Sequence, residues 1–347
     1  MKRTRRLLSL VALASAVSLL GAACGDDKDD ASTDSGSETK SEIKVGLAYD
    51  LGGRGDKSFN DAAAAGLDEA KKELGVTGKE LSPSSDEDRE ANLKLLAEGD
   101  YNPIIGVGFA YADSIKLVAE ANPDVTFGTI DTVVDLPNVH NNVFAENEGS
   151  FLVGAAAGLK TKSNKVGFIG GVETELIKKF EAGFVAGVKE TNPTATVEVK
   201  YITPDGDFSG FNAPDKAKEI AGSMYDGGAD VIFHAAGGSG TGLFDAAVAA
   251  GDGKWAIGVD SDQYLGATAD QQKHILTSML KRVDVAVRDT IKAFADGDTK
   301  GKTVVLDLKA DGVGYSTSGG YVDDIADQLD ALKEKIIAGD ITVPEAP

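Results

Sequence analysis

The chain has 347 residues, a formal charge of −21, 42% apolar residues, one cysteine and three histidines. Acidity on this scale argues against nucleic acid and anionic membrane surfaces as partners. A single cysteine excludes an intramolecular disulfide, so an extracytoplasmic fold must rest on its apolar core.

Met1 to Leu10 carries Lys2, Arg3, Arg5 and Arg6 and no acid, and Leu7 to Leu20 is apolar or small. Gly21-Ala22-Ala23 then precedes Cys24. A basic, an apolar and a small-residue region in that order form a secretory signal. A cysteine directly behind it is an acceptor for diacylglycerol. The sequence predicts that residues 1–23 are removed and that Cys24 carries a lipid anchor on the extracytoplasmic face of the cell membrane. The apolar run is too short to remain as a span, which needs ~20 residues. Removal takes away four cations and no anion, leaving −25 on the mature chain. Residues 24–42 hold no aliphatic or aromatic residue beyond Ala31 and read as a flexible acidic linker.

From Ile43 onward strand and helix patterns alternate. Strands are predicted over 43–49, 103–108, 125–131 and 138–144, with helices over 60–74, 86–99, 113–121 and 150–160. The alternation resumes with strands over 165–170, 196–202, 231–234 and 255–259 and helices over 175–191, 213–225 and 242–250. A short apolar segment at 275–278, a helix over 283–295, a strand over 303–308 and a helix over 325–338 complete the chain. Strands alternating with helices of this length predict an α/β fold built from parallel βαβ units. About 300 residues exceed most single cores, so two doubly wound lobes are expected, one before and one after residue 146. Each would offer a binding edge at the carboxyl ends of its strands.

Asp50, Asp131, Gly237-Gly238 and Asp260 fall at such strand ends. A carboxylate there can accept two hydroxyl hydrogen bonds, which suits a vicinal diol such as ribose. One such Asp could be a helix cap; three at equivalent places point to a site. Phe59, in a polar loop before a helix, reads either as a staple on that helix or as a platform for a planar ligand. The run from Gly237 to Gly242 reads as a tight strand-to-helix turn or as a backbone surface against a ligand ring. No histidine has metal-ligand spacing and no G-x-S-x-G elbow is present, so neither an enzyme nor a cofactor is expected.

The segment Asp50-Leu51-Gly52-Gly53-Arg54-Gly55-Asp56-Lys57-Ser58-Phe59-Asn60 resembles the D-x-G-G-x-x-D-K-S-F-N signature of the basic membrane protein family. These are substrate-binding lipoproteins of ABC importers, with a purine nucleoside receptor as type member. Phe211-Asn212, Ala236-Gly237-Gly238, Gly258-Val259-Asp260-Ser261-Asp262-Gln263, Leu276-Thr277-Ser278 and Lys281-Arg282-Val283-Asp284 extend the resemblance in order along the chain. Arg54 and Thr241 depart from the family pattern.

The resemblance implies a type I periplasmic-binding-protein-like architecture of two Rossmann-like lobes joined by a three-segment hinge. Residues 43–145 plus 262–300 would form lobe 1, and 146–261 plus 301–340 lobe 2. The hinge would lie near 144–148, 260–275 and 296–303. Asp50 would line the cleft beside Asn60, and Phe59 and Phe211 would stack on the two faces of a base, with Phe208 as a rival for Phe211. Asp131 and Asp260 would hold ribose hydroxyls or the base edge, Gly238 would pack on the ligand, and Lys281 would add a polar contact. The implied function is a monomeric, lipid-anchored receptor that passes a nucleoside of the purine type to an ABC permease. The same fold could instead take another small polar solute or a sugar, or serve as a signalling receptor or surface adhesin.

Overall fold

The computed structural model describes residues 43–347. The signal, Cys24 and the linker before Ile43 lie outside the described residues. Two six-stranded sheets make up the body. The first contains β1 (Lys44–Ala48), β2 (Thr77–Leu81), β3 (Ile104–Val107), β4 (Phe127–Ile130), β5 (Val139–Phe144) and β11 (Lys302–Leu306). The second contains β6 (Lys165–Val172), β7 (Thr196–Thr203), β8 (Val231–Ala235), β9 (Trp255–Asp260), β10 (Ile275–Lys281) and β12 (Val313–Tyr315). Their orders, β2-β1-β3-β4-β5-β11 and β7-β6-β8-β9-β10-β12, place equivalent strands in the same sequence twice. All neighbours are parallel except β10 and β12. The central strands are buried along nearly their whole length, as parallel strands covered on both faces must be.

The helices are α1 (Phe59–Leu74), α2 (Asp88–Glu98), α3 (Ala112–Ala121), α4 (Glu146–Lys160), α5 (Glu175–Thr191), α6 (Pro214–Asp226), α7 (Gly240–Ala250), the single turns α8 (Gln263–Gly266) and α9 (Ala269–Gln272), α10 (Val283–Ala295) and α11 (Ala326–Ala338). Helix α1 ends on Gly75 in the left-handed conformation, with Lys71 and Lys72 in its last turn. Helix α4 follows the fifth strand of the first sheet yet packs on α5 of the second lobe. Helix α10 follows β10 of the second sheet yet packs on α1 of the first lobe. The lobes therefore exchange one helix each, and the chain passes between them at 144–146, 281–283 and 306–313.

The first passage falls within an expected hinge segment; the other two differ from expectation. Residues 262–281 stay with the second lobe, because β10 continues to Lys281 and pairs with β9. Its burial on both faces gives no alternation to mark its length. Strand β11 joins the first lobe by pairing with β5; as an exposed edge strand it gives no burial pattern that names its partner sheet. Strand β2, also an edge, and the three-residue β12 carry too few apolar residues to stand out in the sequence. Among the described residues no helix is long and apolar enough to cross a membrane.

Candidate functional site

The loop after β1 is organised by a buried carboxylate. Asp56 accepts hydrogen bonds from the backbone N–H groups of Ser58 (2.9 Å), Asn60 (2.9 Å) and Asp61 (3.1 Å). It thereby fixes the first turn of α1 and with it the position of Phe59. The Asn60 amide is spent on the same loop: its Oδ1 accepts the Asp50 N–H at 3.0 Å, and its Nδ2 donates to Asp56 at 3.1 Å. Arg54 ties the exposed part of the loop to Asp68 of α1 and, at 2.9 Å, to Glu80 of β2. Thr241 donates to Gly238 O at 2.9 Å, closing the turn after β8.

Asp131 follows β4 and Asp260 ends the equivalent strand β9, and both lie in the left-handed region, at φ 69° and 64°. Asp tolerates that conformation better than most residues. The two carboxylates converge across the cleft through partners on the opposite lobe. The Ser58 hydroxyl of the first lobe donates to Asp260 at 2.6 Å. Lys281, at the end of β10, reaches from the second lobe to Asp131 at 2.7 Å. Glu146, the first residue of α4, stands 3.4 Å from the same ammonium. Lys281 is only 2% exposed. The rings of Phe144, Phe59 and Phe180 surround its Nζ at 4.9, 5.2 and 5.5 Å.

Burial alone would pull the Lys281 ammonium down, but Asp131, Glu146 and Asp260 outweigh it and hold the group above its ordinary value. Burial pushes Glu146 up to about 7, against the pull of Lys281. It pushes Asp260 up to about 6, against Lys281 and the Ser58 hydroxyl. Burial also raises Asp50, opposed by the Arg89 guanidinium 2.6 Å away.

A cavity lies between the lobes. Asp50, Phe59, Asn60, Asp131, Phe211, Gly238, Asp260 and Lys281 all line it. Phe211 is the ring in the wall; Phe208 is not part of the lining and packs edge-on against Phe109 at 5.6 Å. Sequence reasoning missed Phe109, Leu176 and Phe180 in the wall and Glu146 behind it. Phe109 follows β3 and Gly108, a strand end that could have been flagged. Phe180 sits at a core-like helical position and gives no such signal.

The walls combine aromatic rings with four carboxylates, Asp50, Asp56, Asp131 and Asp260, and one ammonium. Such a cavity suits a neutral ligand rich in hydroxyl and N–H donors and with a planar part. Among the described residues no group of His, Cys, Asp and Glu could hold a metal ion.

The family described as "ABC transporter substrate-binding protein PnrA-like" matches residues 43–346. The chain belongs to this family. Members bind solutes and do not form an enzyme class, and membership implies a small-molecule ligand and a membrane permease as partner. The chain is 40% identical to the "CD4+ T-cell-stimulating antigen" of Listeria monocytogenes serovar 1/2a, over 100% of this chain and 99% of that protein. It is 35% identical to the "ABC transporter nucleoside-binding protein BmpA" of Lactococcus lactis subsp. cremoris, over 99% of both. A solved ABC transporter solute-binding protein from Aeropyrum pernix K1 is similar in structure, with a TM-score of 0.76 and 30% identity. That match covers 87% of this chain and 94% of that one.

In this family member Lys281 neutralises carboxylates that would otherwise repel one another. Lys281→Met is expected to cost ~3–5 kcal/mol at pH 8, the scale of a buried pair that loses one partner. The loss should shrink at pH 5. Glu146 and Asp260 have raised folded-state values, so the stability they confer is complete below about pH 4 and fades as pH rises through about 6 to 7. At pH 5 both carboxyls take up protons and tolerate the missing cation. Urea unfolding of both proteins at the two pH values measures this; equal losses at pH 5 and 8 contradict it.

Proposed function

We propose that the chain is a lipid-anchored receptor that captures a nucleoside, of the purine type, between its lobes and delivers it to an ABC permease. The observation that carries this reading is the pairing of Phe59 and Phe211 with the carboxylates of Asp131 and Asp260 in one cavity. Aromatic walls favour a planar base, and every base presents a π-face. Carboxylates at two strand ends favour a sugar with adjacent hydroxyls. The surplus of negative charge favours a neutral nucleoside over a phosphorylated one. The nucleoside-binding relative from Lactococcus supports the same reading.

Phe59 rests partly on the apolar core, so its two possible roles are tested together. As a platform, Phe59→Ala weakens nucleoside binding by ~1–3 kcal/mol, the scale of base–aromatic stacking. Its folding stability falls by less than the ~3–5 kcal/mol expected for a core phenylalanine. Asp260→Asn keeps the shape but weakens the acceptor, so ribonucleosides lose more affinity than their 2′-deoxy analogues. Calorimetric titration and urea unfolding of both variants read these effects. Unchanged affinity with a large stability loss in Phe59→Ala returns that ring to the core.

The anchor is proposed at Cys24, after the signal read from the sequence. Cys24→Ala is expected in the soluble fraction. A variant that stays with membranes after a high-salt wash contradicts the anchor.

A further inference from the structure

A turn of the second lobe reaches the first lobe outside the ligand cavity. Residues Phe208–Phe211 form a single 3-10 turn after β7, opened by Asp207, whose carboxylate accepts the Ser209 N–H at 3.1 Å. The turn carries two rings with different destinations. Phe211 lines the cavity. Phe208 lies 5.5 Å from the guanidinium carbon of Arg89 and edge-on to Phe109, both on the first lobe.

Arg89 is 3% exposed, and the Tyr111 ring lies 5.8 Å from its guanidinium carbon. Its Nη1 donates to Asp86 at 2.7 Å and its Nη2 to Asp50 Oδ1 at 2.6 Å. The Leu51 N–H also donates to Asp50 Oδ1, at 2.8 Å. One oxygen of Asp50 is thus engaged twice, which leaves Oδ2 for a ligand. Gly108 keeps room for that oxygen: its φ is 110°, and a Cβ there would stand 2.6 Å from Oδ2.

We propose that Phe208 is a positioning residue that acts on Asp50 through Arg89. Closure of the second lobe lays the Phe208 ring on the guanidinium and shuts water away from the Arg89–Asp50 pair. The pair strengthens as its surroundings dry, and the Asp50 oxygen offered to the ligand is fixed. When the lobes part, Arg89 is hydrated again and its hold on Asp50 loosens. The stack therefore favours the closed form from outside the cavity, so ligand release depends on more than ligand contacts. The identity of the ligand rests on the nucleoside reading above; the latch itself does not.

Two variants and two readouts test the latch. Phe208→Leu keeps apolar volume but removes the ring face, whereas Phe208→Tyr keeps the ring. With inosine, guanosine and adenosine as probes, Phe208→Leu is expected to release bound nucleoside about tenfold faster, the equivalent of one desolvated cation–π contact. Association should be unchanged, and Phe208→Tyr should match the original protein. In ligand-free protein, hydrogen exchange of residues 86–92 on the first lobe and 204–212 on the second should both quicken in Phe208→Leu and in neither for Phe208→Tyr. Unchanged release, or unchanged exchange at 86–92, overturns the latch. So does a loss of urea stability shared by both variants, which would mark a purely structural ring. If none of the three nucleosides binds the original protein, the nucleoside reading fails, while the exchange measurement still decides the latch.

Discussion

One buried ammonium holds the cleft together. Lys281 leaves the second sheet, crosses to Asp131 of the first, and sits beside Glu146, where the chain first passes between the lobes. Asp131, Glu146 and Asp260 all act on it, and burying such a group of carboxylates without a cation would be costly. Its position follows from the topology. Strand β10 must run its full length to Lys281 before the chain turns back into α10, so the end of that strand is also the end of a hinge segment. The group that balances the charge of the site is thereby tied to the relative position of the lobes.

This charge arrangement narrows the ligand chemistry. Asp56 and the Asn60 side chain line the cavity but are consumed by the loop that carries Phe59. What remains for a ligand is an oxygen of Asp50 and the unengaged oxygens of Asp131 and Asp260, and among the described residues Lys281 is the one side-chain cation in the lining. The site is acceptor-rich, which suits a ligand that presents hydroxyl and N–H donors. The rings of Phe59, Phe109, Phe180 and Phe211 supply flat apolar walls between them. The interlobe bonds of Ser58 to Asp260 and of Ser261 to the Ser58 carbonyl join the two walls directly.

Much of this was legible in the sequence, for physical reasons that can be named. The βα alternation follows from apolar runs too short for helices and from glycine and acid punctuation between them. Asp50, Asp131 and Asp260 were visible because a charged residue directly after a buried strand has few structural uses. Phe211 over Phe208 was not decidable, because two rings three residues apart in a polar turn look alike until the turn chooses which faces the cavity. Glu146 was silent for a different reason. An acid at a helix start reads as a favourable end charge, and only the packing of α4 on the opposite lobe buries it beside Lys281. The lobe boundaries at 262–281 and 302–306 escaped because strand pairing between distant segments leaves no local trace.

The central claim is that the cleft accepts neutral nucleosides because its walls are aromatic and its polar groups are mostly anionic acceptors. Titration calorimetry of ligand-stripped protein with each purine nucleoside and its 5′-monophosphate tests this most directly. The account predicts binding of at least one nucleoside, with its monophosphate weaker by a hundredfold or more, a cost of ~2.7 kcal/mol or above as added negative charge meets buried carboxylates. A monophosphate that binds as tightly as its nucleoside, or a protein that binds none of these compounds, would contradict it.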